Sequence, residues 1–550
     1  MNCRSRLNAF SRLLRSAYGS PVEKIHSSPY NCASATVKKF ILLPILLWAC
    51  PSWGQVPIYT GQYNVSRTSA NQSETILTPA NVNTSSFGLL FSRAVDAQIF
   101  AMPLYVPSVT INNITQNVVY VATMNNSVYA FDADNPSAST PLWQVNLGPP
   151  ITIPSHYLSA QTGILSTPVI DPTSNTLYCV AATTVFSSAV YYLHALDITT
   201  GAEKFNGPVQ VTGSVAGTAP DSVGGIVTLN TVNELQRSAL LLVGGTVVIG
   251  FAAIVEGTGT PTYHGWLFGY NARTLVENFA YNTSPNGNGA GIWMSGVGPS
   301  VDANGVYFAV GNGPVGNDGA GDSVIRIGAS EGYFIAANYA TLNEYDWDLG
   351  AGGPLLIPGT NLLAIAGKTG ELYLLNRTSL GKLQDDDEGA VQSFQASLPC
   401  SGEVYNRCYE IHHMTMWSRT GNISYFYIWP WQDSLKQYAF ISTGLNTTPV
   451  AVNANPQGFP GGMLAISSNG ATNGILWAVT SATEYLGGGV IPTGILHAFN
   501  ATNVATELWN STMNSADGLG TLTKFAVPVV TNGKVYVATT SNALRVYGLK

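Results

Sequence analysis

One pattern recurs along the chain and limits its fold more than any other feature. A short apolar strand is followed by a turn and a second strand, which often ends in an aromatic residue and Asp or Asn. Val118-Val-Tyr-Val-Ala-Thr123 leads to Ser127-Val-Tyr-Ala-Phe-Asp132, and Thr176-Leu-Tyr-Cys-Val-Ala181 leads to Leu193-His-Ala-Leu-Asp197. The pair returns at 247–251 with 265–271, 305–310 with 323–327, 362–366 with 371–376 and 425–429 with 434–438. It returns again at 475–479 with 494–500 and at 534–539 with 543–547. The side chains alternate with period two and the joins are rich in Gly, Asn and Asp, so each pair is an antiparallel hairpin.

A length of 550 residues would suit three or four ordinary domains. No linkers separate the eight units, however. Sheets repeated around an axis leave only short, protected edges. The expected fold is therefore all-β: one eight-bladed β-propeller of four-stranded antiparallel blades over residues 87–550, with seven blades as the alternative. A stack of β-sandwich domains is the competing architecture. The chain ends after the third strand of unit eight. Phe87-Gly-Leu-Leu-Phe-Ser-Arg-Ala-Val95, ahead of unit one, is placed to supply the fourth strand and close the ring.

Charged residues make up only 10% of the chain, which excludes a disordered segment and argues against a coiled coil. Residues 1–54 read as a leader and signal peptide. Lys38 and Lys39 precede the apolar run Phe40 to Cys50, which is too short to span a bilayer, and small residues follow before Gln55. A membrane anchor is the alternative reading of that run. The expected location is secreted or periplasmic, with no transmembrane span. Residues 55–86 form an N-terminal extension. Residues 55–550 hold 16 basic and 29 acidic residues, a net charge of −13, which gives no electrostatic basis for nucleic-acid binding. Cys3, Cys32 and Cys50 lie in the leader. Cys400 and Cys408 bracket a short polar loop and are expected to form a disulfide in an oxidising compartment. Cys179 lies in an apolar strand and reads as a buried thiol. A closed ring exposes no long edge, so a monomer is expected.

Ala195-Leu-Asp197, with Thr200-Gly201 and Phe205, resembles the Ala-x-Asp-x-x-Thr-Gly-x-x-x-Trp docking motif of quinoprotein (PQQ-like) propellers. Phe205 stands where that motif has Trp. Ala130-Phe-Asp132 with Trp143, and Ala498-Phe-Asn500 with Trp509, are looser copies. From the leader to the last unit, the chain also looks like secreted bacterial PQQ-like propeller proteins. The resemblance implies that each such Trp packs on the neighbouring blade. It does not fix a function, because one propeller serves many.

In quinoprotein dehydrogenases a Trp face supports the quinone, a calcium ion bound by Glu, Asn and Asp polarises it, and an Asp acts as base. Many members also carry adjacent cysteines, which are absent here. Trp293 and Met294, after the Gly-rich stretch 285–291, and Asn312 are the candidates for cofactor binding; Asn317, Asp318 and Asp322 cluster oxygen ligands for calcium, and 296–322 resembles the glycine/Asp blade loop of quinoproteins. Asp322 and His412 are the catalytic candidates. Each has a plainer reading. Trp293 can pack between blades, 311–323 can be an Asx-rich hairpin join, and the run Asp385 to Glu388 can be a solvated loop. His412 and His413 are adjacent, so in a strand they face opposite ways.

Two functions follow from these readings. The first is an exported binding or scaffolding propeller with a protein, small-molecule or carbohydrate ligand on one face. The alternative is a PQQ- and calcium-dependent oxidoreductase acting on alcohols or sugars. A carbohydrate-active propeller is a third possibility, but no spacing identifies its carboxylate pair.

Overall fold

The computed structural model describes residues 55–152, 161–254, 262–328, 331–400, 408–421, 423–441, 443–484 and 491–550. The export signal expected over residues 1–54 lies outside them. The described chain is an eight-bladed β-propeller. Blades 1 to 7 span 104–146, 169–210, 234–282, 300–335, 355–395, 414–453 and 458–510. Each of the eight hairpins expected from the sequence is the second and third strand of one blade.

Blade 8 closes the ring as expected. Phe87–Ala94 pairs antiparallel with Ala543–Leu549, with Phe87 opposite Leu549 and Ala94 opposite Ala543. Asp517, only 1% exposed, holds this seam. Its Oδ1 accepts the Leu89 N–H at 2.9 Å and the Lys550 ammonium at 3.0 Å.

Burial explains the composition of the strands. Second strands are covered by a neighbouring blade on each face, so Thr246–Ala253 and Gly305–Val310 are buried at every position. They read as continuous apolar runs. Outer strands such as Trp143–Asn146 and Gln392–Gln395 alternate half-buried and exposed residues, the pattern of a sheet with one wet face.

Neighbouring blades are tied by single polar bonds in an apolar interface. A tyrosine in the second strand donates to the carbonyl just after the third strand of the next blade. Tyr120 reaches Ile198, Tyr178 reaches Ala272, Tyr307 reaches Arg377, Tyr427 reaches Ala501 and Tyr536 reaches Ala133, at 2.5 to 3.1 Å. The docking aromatics lie beside these bonds. The Trp143 indole donates to Ile198 O at 2.9 Å and covers Gly201, where an added Cβ would sit 2.7 Å from the ring. Gly201 also has φ +73, so the turn needs glycine for two reasons.

The extension is an axial plug. Ile58 exchanges backbone hydrogen bonds with Tyr105 of blade 1. Tyr59 O accepts from Ile170 of blade 2, Val65 O from Val301 of blade 4 and Ser66 O from Leu356 of blade 5. The Arg67 guanidinium donates to Leu240 O of blade 3. Thr68 O accepts from the Thr415 hydroxyl of blade 6, and Ser69 O accepts from Ile466 of blade 7. Asn71 donates to Val530 O of blade 8. One segment of chain therefore touches every blade, at or beside its innermost strand.

Candidate functional site

Most of the innermost strands meet the plug at their second residue. The residues that lead into them therefore converge next to it. Contacts across the axis mark this convergence. Arg237, from blade 3, donates to Leu165 O at 3.3 Å and to Lys524 O at 3.2 Å. Trp293, leading into blade 4, meets the Phe525 ring edge-on at 6.4 Å. His412, leading into blade 6, lies 5.2 Å from the Phe525 ring and 5.3 Å from the Phe459 ring. Phe459 of blade 7 and Phe525 meet edge-on at 6.4 Å. The Lys524 ammonium lies over the Phe459 ring at 5.0 Å. Trp293, Phe459 and Lys524 keep partial exposure, so this is a mouth and not a sealed core.

The mouth is cationic on one side. Burial pushes the Arg237 guanidinium down to about 9, but it remains charged near neutral pH. Burial, with the positive charge of Arg237 beside it, lowers the Lys524 ammonium to about 8 against the pull of Glu410. Gly296 makes room for Arg237, since a Cβ there would lie 2.7 Å from Nη1. On the other side, His412 Nε2 lies 2.9 Å from Glu410 Oε2 and Nδ1 lies 3.1 Å from Pro460 O. Both partners are acceptors. Each ring nitrogen therefore faces an oxygen, which fixes the orientation of the imidazole.

A second polar cluster sits on the connection from blade 4 to blade 5. A helix, Tyr339–Tyr345, ends at Asp346 in a left-handed cap. It delivers Asp346-Trp-Asp348 to the site. Asn343 on this helix holds Gly313 from both sides, accepting its N–H at 2.6 Å and donating to its carbonyl at 2.8 Å. The Lys368 ammonium bridges Asp346 at 2.9 Å and Asp348 at 2.5 Å. Asp348 Oδ1 accepts the Asn312 N–H at 2.7 Å, and the Asn312 side chain donates to Asp346 at 2.9 Å. Asp322 is fully buried, with Oδ1 accepting the Leu349 N–H at 3.1 Å.

These carboxyls differ in proton affinity. Burial, then the charge of Asp348, drives Asp322 well above the carboxylate range. Burial and Asp348 raise Asp346 to about 6, while Lys368 opposes the shift. Asp348 is buried too, but Lys368 and the Asn312 N–H hold it below its ordinary value. The negative field of Glu410 raises both Asp346 and Lys524, which joins the cluster electrically to the mouth.

The structure sorts the candidates taken from the sequence. Trp293 and His412 stand at the mouth, and Asn312 and Asp322 join the carboxylate cluster. Met294 does not face the mouth. It is fully buried and its sulfur accepts the Ala309 N–H at 3.4 Å. Asn317 and Asp318 are exposed on their hairpin, while Asp322 is inside, so the three do not share a ligand shell. Among the described residues no three of His, Cys, Asp and Glu are grouped to hold a metal. His413 points away from the mouth to Ser69 of the plug. The run Asp385 to Glu388 is a solvated turn in which Asp386 caps a short 3-10 helix. Cys400 and Cys408 are joined by a disulfide, and Cys179 is a buried free thiol.

Sequence reasoning missed Arg237, Asp346, Asp348, Lys368, Glu410, Phe459, Lys524 and Phe525. Their signal was scarcity. In a chain this poor in charge, a lone Arg or Lys leading into an apolar inner strand is exceptional.

No protein-family model matches the chain, and no curated protein matches it. Solved structures do. A quinohemoprotein alcohol dehydrogenase from Pseudomonas putida is 15% identical, with 90% of this chain and 80% of that one covered at a TM-score of 0.55. A quinohemoprotein alcohol dehydrogenase from Comamonas testosteroni is 13% identical over 90% and 80% of the two chains, at 0.53. A europium-containing methanol dehydrogenase is 13% identical over 91% and 99%, at 0.56. Among the described residues no helix is long and apolar enough to cross a membrane. At these identities the likeness is one of fold, and the chain shares its propeller fold with the quinohemoprotein alcohol dehydrogenases and the methanol dehydrogenase.

Proposed function

We propose that this protein is an exported binding propeller whose axial mouth takes a planar anionic ligand of the quinone-cofactor class. One observation carries the reading. Arg237 and Lys524 lie beside Trp293, Phe459, Phe525 and His412, next to the plug. Aromatic faces accept a flat ring and the cations attract its carboxylates. PQQ is flat and carries several carboxylates, so it fits both features. For calcium, Asn312 Oδ1 is buried without a partner and Asp346 is half-exposed. These two would contribute oxygens, with the rest coming from the ligand. The ion would supply Lewis acidity to a bound quinone.

A second reading, a quinone-dependent oxidoreductase, is favoured by the carboxylate cluster. Asp346 exchanges its proton near pH 6, which suits a general base working at neutral pH.

The test is titration of the purified protein, without its leader, with PQQ, with and without calcium. Absorbance and tryptophan fluorescence report binding, and dye reduction with alcohols and sugars reports turnover. Trp293→Ala and Arg237→Gln should each weaken binding by about tenfold. Binding without turnover supports the first reading, and turnover supports the second. If no spectral change occurs with or without calcium, both are wrong.

A further inference from the structure

We propose that a groove in blade 1 binds a neutral saccharide, held by amide, hydroxyl and carboxylate groups that the fold leaves uncommitted. The groove shares no residue with the axial mouth or the carboxylate cluster, so this goes beyond the quinone reading and does not depend on it.

The argument starts from an irregularity in the innermost strand of blade 1. Leu104–Ile111 pairs in register up to Val106, opposite Val118, and resumes at Val109, opposite Gln116. Pro107 and Ser108 therefore stand against Asn117 alone, and Ser108 takes a left-handed conformation with φ +54. A serine is held there at a steric cost. Bulges of this kind re-aim side chains and recur beside binding sites. Ser108 and Asn117 form one wall of a groove of about 480 Å³, a volume within the ~300–1,000 Å³ range of small-molecule sites. The other wall is the turn after the third strand, residues 132–135. It is held firmly. Asp132 Oδ1 accepts the Asp134 N–H at 2.8 Å and the Asn135 N–H at 2.9 Å. The Arg93 guanidinium donates to the carbonyls of Asp132 at 3.1 Å and Asn135 at 2.6 Å. Asp134 is fixed by the Asn117 amide at 2.6 Å and the Lys534 ammonium at 2.8 Å.

The lining selects the ligand. With these bonds made, Asp132 Oδ2, the Asn135 amide nitrogen, the Ser108 hydroxyl and the side chains of Gln55 and Gln116 have no partner among the described residues. They offer donors and acceptors on facing walls. No aliphatic or aromatic side chain lines the groove, so an apolar ligand gains nothing there. Two carboxylates line it and no cation does, so an anion is repelled. Calcium takes about six to eight oxygens, and of the two aspartates only Asp132 Oδ2 is uncommitted. What fits is a neutral molecule dense in hydroxyls. Each hydroxyl donates and accepts, so it can bridge Asp132 Oδ2 and the Asn135 or Gln116 amide. The bond to the Asp132 carboxylate is charge-assisted and is the strongest of the set.

The test uses the purified protein without its leader, with glucose, galactose, mannose, N-acetylglucosamine, maltose and cellobiose as probes. Saturation-transfer NMR and calorimetry read binding at millimolar sugar. At least one probe should bind. Asp132→Asn keeps the Oδ1 acceptor, and with it the turn, but removes the free carboxylate oxygen, so affinity should fall by about tenfold. Gln116→Ala removes a side chain that bonds to nothing in the fold, so binding should weaken while the melting temperature stays. If no probe binds, or if binding survives both substitutions, the proposal is wrong. Calcium binding that Asp132→Asn abolishes, without sugar binding, would make the groove a cation site and overturn it as well. PQQ titration of Asp132→Asn should match the parent, so the readings of groove and mouth can fail separately.

Discussion

At the residue scale, this ring depends on a few polar atoms in an apolar stack. Each Tyr hydroxyl that crosses between blades satisfies a carbonyl that would otherwise be buried alone. Tyr178 is fully buried, and Ala272 O accepts its hydroxyl at 2.7 Å. Tyr178→Phe keeps the ring and strands the carbonyl. It should cost about 1–2 kcal/mol by denaturant unfolding, with the slope of the transition unchanged. His413 makes a different prediction. Its Nδ1 accepts the Leu464 N–H at 3.3 Å, so its proton is on Nε2, facing Ser69 Oγ at 3.3 Å. Burial lowers it from 6.5 to about 3, so the folded ring is neutral. Between those values the unfolded chain holds a proton that the folded chain does not. The stability from neutral His413 is therefore complete above about pH 6.5 and lost as pH falls toward 3. His413→Gln should remove about 1.4 kcal/mol per pH unit of acid sensitivity in that window. Urea unfolding of both proteins at pH 7, 5.5 and 4.5 would show the two curves converging as pH falls. Parallel curves would assign the acid sensitivity to other groups.

At the element scale, the plug stands out because it obeys no periodic pattern. A strand repeats its bonds to one partner, whereas 58–71 bonds to a different blade almost every residue. Arg67 is its anchor. The guanidinium is 1% exposed and donates to Pro299 O, Gly61 O, Leu240 O and the Thr60 hydroxyl at 2.7 to 3.2 Å. Gly298 leaves room for it, since a Cβ there would lie 2.4 Å from Nη2. Arg67→Met fills similar space but leaves three buried carbonyls without this donor. The expected loss is about 3 kcal/mol or more, read as a lower denaturation midpoint. Deleting 55–71 should be worse, because all eight inner strands lose a partner. If the deletion melts at the parent temperature, the plug is not part of the folded ring. The helix Tyr339–Tyr345 works on a smaller scale, setting Asp346 and Asp348 on either side of Lys368.

At the scale of the whole molecule, the ring was legible in the sequence and the mouth was not, for one physical reason. Blade strands such as Val118–Thr123 and Gly305–Val310 are apolar at successive positions because both faces are covered, and that pattern is local. The mouth takes Arg237, Trp293, His412, Phe459 and Phe525 from five blades. No spacing along the chain records such a meeting. His412 could be singled out from the adjacent pair His412-His413, and Trp293 from the Gly-rich stretch before it, whereas Arg237 and Phe525 had no such pointer. The same contrast between local and distant pairing predicts where the molecule opens. Blades 1 to 7 are built mainly from consecutive hairpins. Blade 8 alone takes its outer strand from the far end of the chain, with Ser92 accepting from Arg545 across 453 residues. Closing so long a loop costs entropy that the neighbouring blades do not bear. Asp517 secures the seam through the Leu89 N–H and Lys550. Asp517→Leu would bury an unpaired N–H and release Lys550, at a cost of about 2–4 kcal/mol. The loss should appear first as faster amide exchange in Phe87–Ala94 and Ala543–Leu549, before any change in blades 3 to 6. Equal acceleration in every blade would mean that the ring opens as one cooperative unit, with no weak seam.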